Sequence, residues 1–219
     1  SLDLAVFISQ KGESYFHKRY PQCKTAVFRL GAIGNGITIK SNDSIVRVLT
    51  CSTVYTLKRV SLILESLKNA TALNIEWTHI GDGIDLEKLK KRAKILEEER
   101  YKINLIGKCT HFEVIDYYKS HKVDLFINLS MNEGIPVSIM EAISFDIPIV
   151  ATDVGCTSEI VTEMSGVLVD ANPTIEQIVD AIYFALSHKY HPHKFWEQNY
   201  DASINYAAFA KFLTSLRND

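Results

Sequence analysis

Glu133 and Glu141 stand eight positions apart in Asn128-Leu-Ser-Met-Asn-Glu133-Gly134-Ile135-Pro136-Val-Ser-Ile-Met-Glu141-Ala142. An apolar run, Val123 to Leu129, precedes them and an amphipathic segment, Val137 to Phe145, follows, an order that reads as strand, loop, helix. Glu133 then falls in the loop at the strand's C-terminal end. Glu141 falls more than one turn into the helix, where a carboxylate can accept two hydrogen bonds from a vicinal diol. Gly134 lets the loop backbone approach a ligand. Pro136 suits the first turn of a helix, and exposed N–H groups there favour a phosphate. Sugar hydroxyls, a ribose and a diphosphate can meet in one such crevice. The plainer reading is a strand-loop-helix unit with two solvated acids. Lys58, at the foot of a helical segment after a strand, offers a compact point charge to a phosphate. Its plainer reading, with Arg59, is a pair of solvated helix charges.

The elements that would position these groups alternate. Apolar runs fall at Ile45–Leu49, Ile75–Ile80, Ile103–Ile106, Val123–Leu129, Ile147–Ala151 and Val167–Val169. Helical periodicity falls at Val60–Ala70, Leu86–Arg100, Glu113–His121, Val137–Phe145, Ser158–Glu163 and Ile175–Ser187. Near-continuous apolar strands separated by helices predict a doubly wound, Rossmann-like parallel sheet covered on both faces. Ligands of such α/β folds bind at the carboxyl ends of the strands. Pro192 to Leu216, rich in aromatics, reads as one or two helices packing back on the body.

Composition narrows the function. With 219 residues, 47% hydrophobic and 23% charged, the chain can bury a sizeable core in one or two domains. A net charge of −2 points to no nucleic-acid partner and no anionic membrane surface. No apolar run is long enough to span a bilayer. Cys23, Cys51, Cys109 and Cys156 follow no metal-ligand spacing and read as free thiols in a reducing cytoplasm. His188, His191 and His193 read as a surface cluster rather than a metal site. There is no Asp-x-Asp to hold a metal–diphosphate complex and no P-loop. No metal and no resident cofactor are expected.

The stretch from Glu133 to Ala142 resembles the Glu-x7-Glu signature of retaining GT-B glycosyltransferases, specifically family 4, roughly Glu-Gly-Phe-Pro-x4-Glu-Ala. Glu133 and Glu141 match its acids, Gly134 and Pro136 its turn, and Ile135 replaces its aromatic. Val48 to Val60 resembles the family's Gly-Arg-Leu-x3-Lys-Gly segment. Lys58 falls on the lysine that contacts the donor diphosphate. Thr53 stands where the family has an arginine, and Arg59 is the candidate substitute. Gly81 and Gly83 resemble its Gly-x-Gly turn at the next strand end, with Asp82 as a turn or cap residue. Leu105 to Thr110 resembles the strand and loop that cradle the base, which makes the backbone groups of Lys108, Cys109 and Thr110 candidates for base recognition. Asn128 and Ser130 flank the same pocket. Thr152 to Val161 resembles the family's Gly-x-x-Glu-Ile segment, with Glu159 a solvated acid or cap partner.

The resemblance implies a nucleotide-sugar donor, hexosyl transfer with retention, and a role in polysaccharide or glycoconjugate biosynthesis. Glu133 and Lys58 would be catalytic, and Glu141 would hold the ribose. It further implies that residues 1–44 are the remnant of an N-terminal domain and hinge, 45–190 the donor-binding domain, and 191–219 a helical segment packing back. Gly31, Gly34 and Gly36 read as a flexible connector. Most of the N-terminal domain, which would hold a sugar or lipid-linked acceptor and any peripheral membrane contact, would be absent. The whole protein would be cytoplasmic, with membrane contact at the inner face. The alternatives are a GT-B-fold sugar-nucleotide epimerase or hydrolase, and a non-enzymatic nucleotide-binding α/β module.

Overall fold

The computed structural model describes residues 3–34, 36–39, 43–97 and 100–216. Six parallel strands form the main sheet: β3 (Ile45–Cys51), β4 (Asn74–Ile80), β5 (Tyr101–Gly107), β6 (Leu125–Asn128), β7 (Ile149–Thr152) and β8 (Gly166–Val169). Helices α2 (Val60–Asn69), α3 (Leu86–Leu96), α4 (His111–Ser120), α5 (Val137–Ser144) and α6 (Ile175–Ser187) lie between or after them. A smaller parallel pair, β1 (Ala5–Phe7) and β2 (Thr25–Val27), brackets α1 (Gln10–Arg19). Two further helices, α7 (Pro192–Asn199) and α8 (Ala202–Ser215), follow.

The expected doubly wound parallel sheet is what the chain forms. Strand side chains alternate faces, and here both faces are covered. Val48, Leu125, Ile127 and Val150 join one core, against α2, α3 and α6. Leu49, Phe126, Ile149 and Ala151 join the other, with residues of α4, α5 and α7. Each fully buried side chain of this size stabilises by about 1.5–3 kcal/mol. Phe126→Ala, in the central strand β6, would cost about 3–5 kcal/mol.

The strand order is β5-β4-β3-β6-β7-β8. The winding therefore runs outward from β3 through β4 and β5, then crosses back to β6. The connections leave β3 and β6 in opposite directions, opening a crevice at their carboxyl ends. The loops that begin at Cys51 and Asn128 border it.

Two expectations change. The helix read at Ser158–Glu163 is a single 3-10 turn, Thr157–Glu159. Ser165 Oγ donates to the Ile160 carbonyl at 2.7 Å and accepts from Thr162 N–H at 2.9 Å, so a side chain takes groups a helix would use. At Gly31 and Gly34 the glycine loop is also a tight crossing rather than a loose connector. A Cβ on Gly31 would meet Ala202 backbone at 2.5 Å, and one on Gly34 would meet the Trp196 ring at 2.1 Å. Trp196 Nε1 donates to the Ala32 carbonyl at 3.2 Å, and Phe28 packs on Phe209 and Phe212. The C-terminal helices therefore fasten the N-terminal segment to the body.

Candidate functional site

Glu133 and Lys58 come from opposite sides of the crevice. Lys58 ends the 3-10 turn Thr56–Lys58 after β3, and Glu133 lies in the loop after β6. Lys58 Nζ donates to Glu133 Oε1 at 2.5 Å, and Asn128 Nδ2 donates to the same oxygen at 3.2 Å. The Asn128 amide is itself fixed, because its Oδ1 accepts from Ser130 N–H at 3.0 Å. Ser130 is buried, and its carbonyl accepts from Thr152 Oγ1 at 2.6 Å, which ties the Glu133 loop to β7. From the other side the loop is pinned by Gly155. That residue sits at φ +53, and a Cβ there would meet the Glu133 carbonyl oxygen at 1.8 Å. Only glycine permits both.

Gly134 faces open space, with no atom within 4 Å of where a Cβ would stand, and Ile135 is buried. Pro136 is the N-cap of α5 rather than its first residue, and its carbonyl accepts from Ile139 and Met140 N–H. The N–H groups of Val137 and Ser138 have no hydrogen-bond partner among the described residues. They present the positive end of α5 beside Lys58 and Glu133.

Glu141, a turn further along α5, is buried. Burial raises its pKa above the usual carboxylate value, and His111 opposes that shift. His111 Nδ1 lies 3.2 Å from Glu141 Oε1. Cys51 and Tyr118 also interact with Glu141, and burial holds both neutral, pushing the Cys51 thiol up to about 12.

The other sequence candidates distribute as follows. Gly81 and Gly83 form the turn after β4, pressed on Ser52 and Val54 backbone. Lys108 and Cys109 lie in the loop after β5, beside α4. Thr110 is the N-cap of α4 in a capping box with Glu113. Its N–H and hydroxyl both engage Glu113, and its carbonyl accepts from Val114 N–H, so its polar groups serve the helix start. Thr53 is exposed. Arg59 turns away from Glu133: Nη1 donates to the Ala171 carbonyl at 2.6 Å and Nη2 to Asn172 Oδ1 at 2.5 Å. It therefore braces the loop after β8. Glu159 is a cap partner, accepting from Gln10 N–H at 2.9 Å and Lys11 N–H at 2.8 Å at the start of α1.

His111 was not legible in the sequence, since nothing local marks a residue at a helix start as facing a carboxylate on another helix. The clustered histidines engage different neighbours. His188 stacks on Phe184, while His193 Nδ1 lies 2.7 Å from the Ser144 carbonyl. Among the described residues no group of three or more His, Cys, Asp or Glu could hold a metal ion. No helix among them is long and apolar enough to cross a membrane.

The Rossmann-like parallel sheet matches the fold of GT-B glycosyltransferases. Residues 39–202 match the model of the family described as glycosyl transferases group 1, and the chain belongs to that family. It is 37% identical over 91 residues to the O-antigen biosynthesis glycosyltransferase WbnH of Escherichia coli, which is 42% of this chain and 24% of that protein. Among solved structures, the lipopolysaccharide outer core galactosyltransferase WaaB superposes with a TM-score of 0.77 at 22% identity, over 95% of this chain and 62% of that one. Anabaena Alr3699/HepE in complex with UDP gives 0.74 at 18% identity, over 97% and 64%. The chain spans about a quarter of the curated relative, and less than two thirds of these two solved chains.

Proposed function

We propose that this chain is the donor-binding part of a glycosyltransferase that moves a hexosyl group from a nucleotide-sugar to an acceptor with retention of configuration. Its setting would be O-antigen or other polysaccharide biosynthesis at the cytoplasmic face of a membrane. The carrying observation is the Lys58–Glu133 pair at the β3/β6 crevice, with Glu141 buried in the same α5 unit. Relatives of this fold were solved with UDP bound, which supports a nucleotide donor.

The demanding step is cleavage of the anomeric C–O bond while negative charge grows on the leaving diphosphate. An ammonium has three donors. One reaches Glu133, and the others are available to diphosphate oxygens. With the open N–H groups of Val137 and Ser138 they form a fixed electrostatic clamp of the kind that dominates many catalytic accelerations. Glu133, held by Lys58 and Asn128, accepts from the sugar hydroxyls and orients the hexose. Glu141 accepts from the ribose diol. Retention follows if the acceptor attacks from the leaving group's own face, which needs no enzymic nucleophile and no metal.

Acceptor positioning can supply ~7–11 kcal/mol of a barrier, and in this reading it belongs to an acceptor-side domain beyond these residues. The chain alone should bind UDP and transfer no sugar. The test incubates the whole protein with UDP-, GDP- or ADP-hexoses and measures nucleoside diphosphate release with and without acceptor. Acceptor-dependent release with an α-linked product from an α-linked donor supports the reading. Release that ignores acceptor indicates a hydrolase, and nucleotide binding without any release indicates a non-enzymatic module. Exposed Thr53, in the position of a family arginine, is the observation that favours that last alternative.

A further inference from the structure

We infer that His111 is a positioning residue for the nucleotide, one that sets how strongly the site distinguishes a ribose diol from a deoxyribose by holding Glu141 toward the crevice. The inference rests on the donor-binding reading and concerns the same site.

Glu141 is 7% exposed, a carboxylate removed from most of its water. Such a group needs a donor or it drifts to the neutral form. The side-chain donor within reach is His111 Nδ1, 3.2 Å from Oε1. The backbone places it there. Thr110 and Glu113 close a capping box, which fixes His111 as the first residue of α4. His111 is mostly solvent-exposed while its partner is buried. It therefore stands at the rim, between bulk water and the carboxylate.

The chemistry follows from the two oxygens. Oε1 is occupied by the imidazole. Oε2 has no hydrogen-bond partner among the described residues. A vicinal diol needs an ionised carboxylate, because a protonated acid gives up one acceptor position and adds a donor. His111 keeps Oε1 satisfied and favours the anion, so the 2′- and 3′-hydroxyls meet a fixed acceptor. The titratable groups that face Glu141 from the packed elements are Cys51 at the end of β3 and Tyr118 and His111 on α4. Burial keeps Cys51 and Tyr118 neutral across the physiological range. Removing a neighbour that lowers Glu141's pKa raises that pKa further, and the anion then fades at a higher pH.

The experiment compares UDP, GDP and ADP with their 2′-deoxy counterparts by calorimetry, using the 219-residue chain as wild type, His111→Ala and His111→Asn, between pH 5 and 8. The asparagine amide nitrogen can take the position of Nδ1 and donates without charge. The wild type is expected to prefer the ribonucleotide by about tenfold, the worth of one hydrogen bond to a charged group. His111→Ala should cut that ratio to about threefold or less and move its loss on acidification to higher pH. His111→Asn should restore most of the ratio. A merely structural role would weaken both nucleotides equally and leave the ratio and its pH midpoint in place, which would overturn the inference. A wild-type chain that binds none of the three nucleotides would instead remove the donor-binding reading beneath it.

Discussion

Lys58 Nζ lies 2.5 Å from Glu133 Oε1, joining the end of β3's loop to the end of β6's loop across the switch point of the sheet. The two side chains are 20% and 12% exposed, so neither charge is well hydrated and each depends on the other. Lys58→Ala should therefore do two things. It removes the cation proposed for the diphosphate and leaves Glu133 with Asn128 alone. UDP affinity should fall at least tenfold while uridine affinity changes little, and the loss should shrink at high salt. Equal losses for both ligands by calorimetry would place Lys58 away from the diphosphate.

Glu141 pits binding against stability. Its pKa is raised in the fold, so its favourable contribution exists below about 4.5, the unfolded value, and is lost as pH rises through the folded value. At pH 7 the ionised, buried carboxylate is a cost. Glu141→Gln should raise Tm at pH 7, with the gain disappearing below about pH 4.5, while nucleotide binding weakens by about 1.5–3 kcal/mol. A variant that melts earlier at pH 7 would contradict this.

His79 controls the acid limit. Trp77 Nε1 donates to Thr50 Oγ1 at 3.0 Å, and the same hydroxyl lies 2.8 Å from His79 Nδ1. Burial lowers the imidazole's pKa from 6.5 to about 4. A depressed base stabilises above its unfolded pKa and stops doing so as pH falls through the folded one. The chain should lose about 3 kcal/mol between pH 6.5 and 4 from this residue. Urea titrations at both pH values on wild type and His79→Leu should differ by that amount.

Glu159 is a cap supplied from a distant part of the chain. Glu159→Ala removes acceptors from Gln10 and Lys11 N–H and should cost about 1 kcal/mol. The loss should be local. Amide exchange should quicken in α1 and stay unchanged in β4 and β6.

Gly155→Ala tests the support of the Glu133 loop. The added methyl cannot coexist with the Glu133 carbonyl 1.8 Å away, and φ +53 disfavours it further. Donor affinity should fall more than tenfold with the sheet intact by circular dichroism.

The strands were legible because they are buried on both faces. Runs such as Val123–Leu129 and Ile147–Ala151 carry no competing polar pattern, and their alternation with helices pointed to the carboxyl ends of the strands, while the strand order that opens the crevice between β3 and β6 was not legible. The Glu133–Lys58 pairing was foreshadowed only as two loops ending at one sheet edge; the sequence separation of 75 hides the contact itself. Ser158–Glu163 misled because its apolar spacing is helical while Ser165, just beyond, supplies competing side-chain hydrogen bonds. The glycines at 31 and 34 misled for another reason. Glycine marks both loose chain and close packing, and the partner that decides between them, Trp196, lies far along the sequence. His111 and the cap given by Glu159 are tertiary events with no local periodicity.

The fastening of Ala32 by Trp196 and of Leu30 by Asn205 spans 164 and 175 residues. Such separations carry a large loop-closure entropy, and contacts of this kind form late. During synthesis, β2 and Phe28 emerge early yet gain their aromatic partners on α8 only after the entire parallel sheet has been translated. The segment carrying α1 must therefore wait, without its final packing, while the sheet assembles. In a growing chain this is an interval of exposed apolar surface, and slowing translation across α6 and α7 should lengthen it, increasing chaperone dependence without changing the stability of the finished fold.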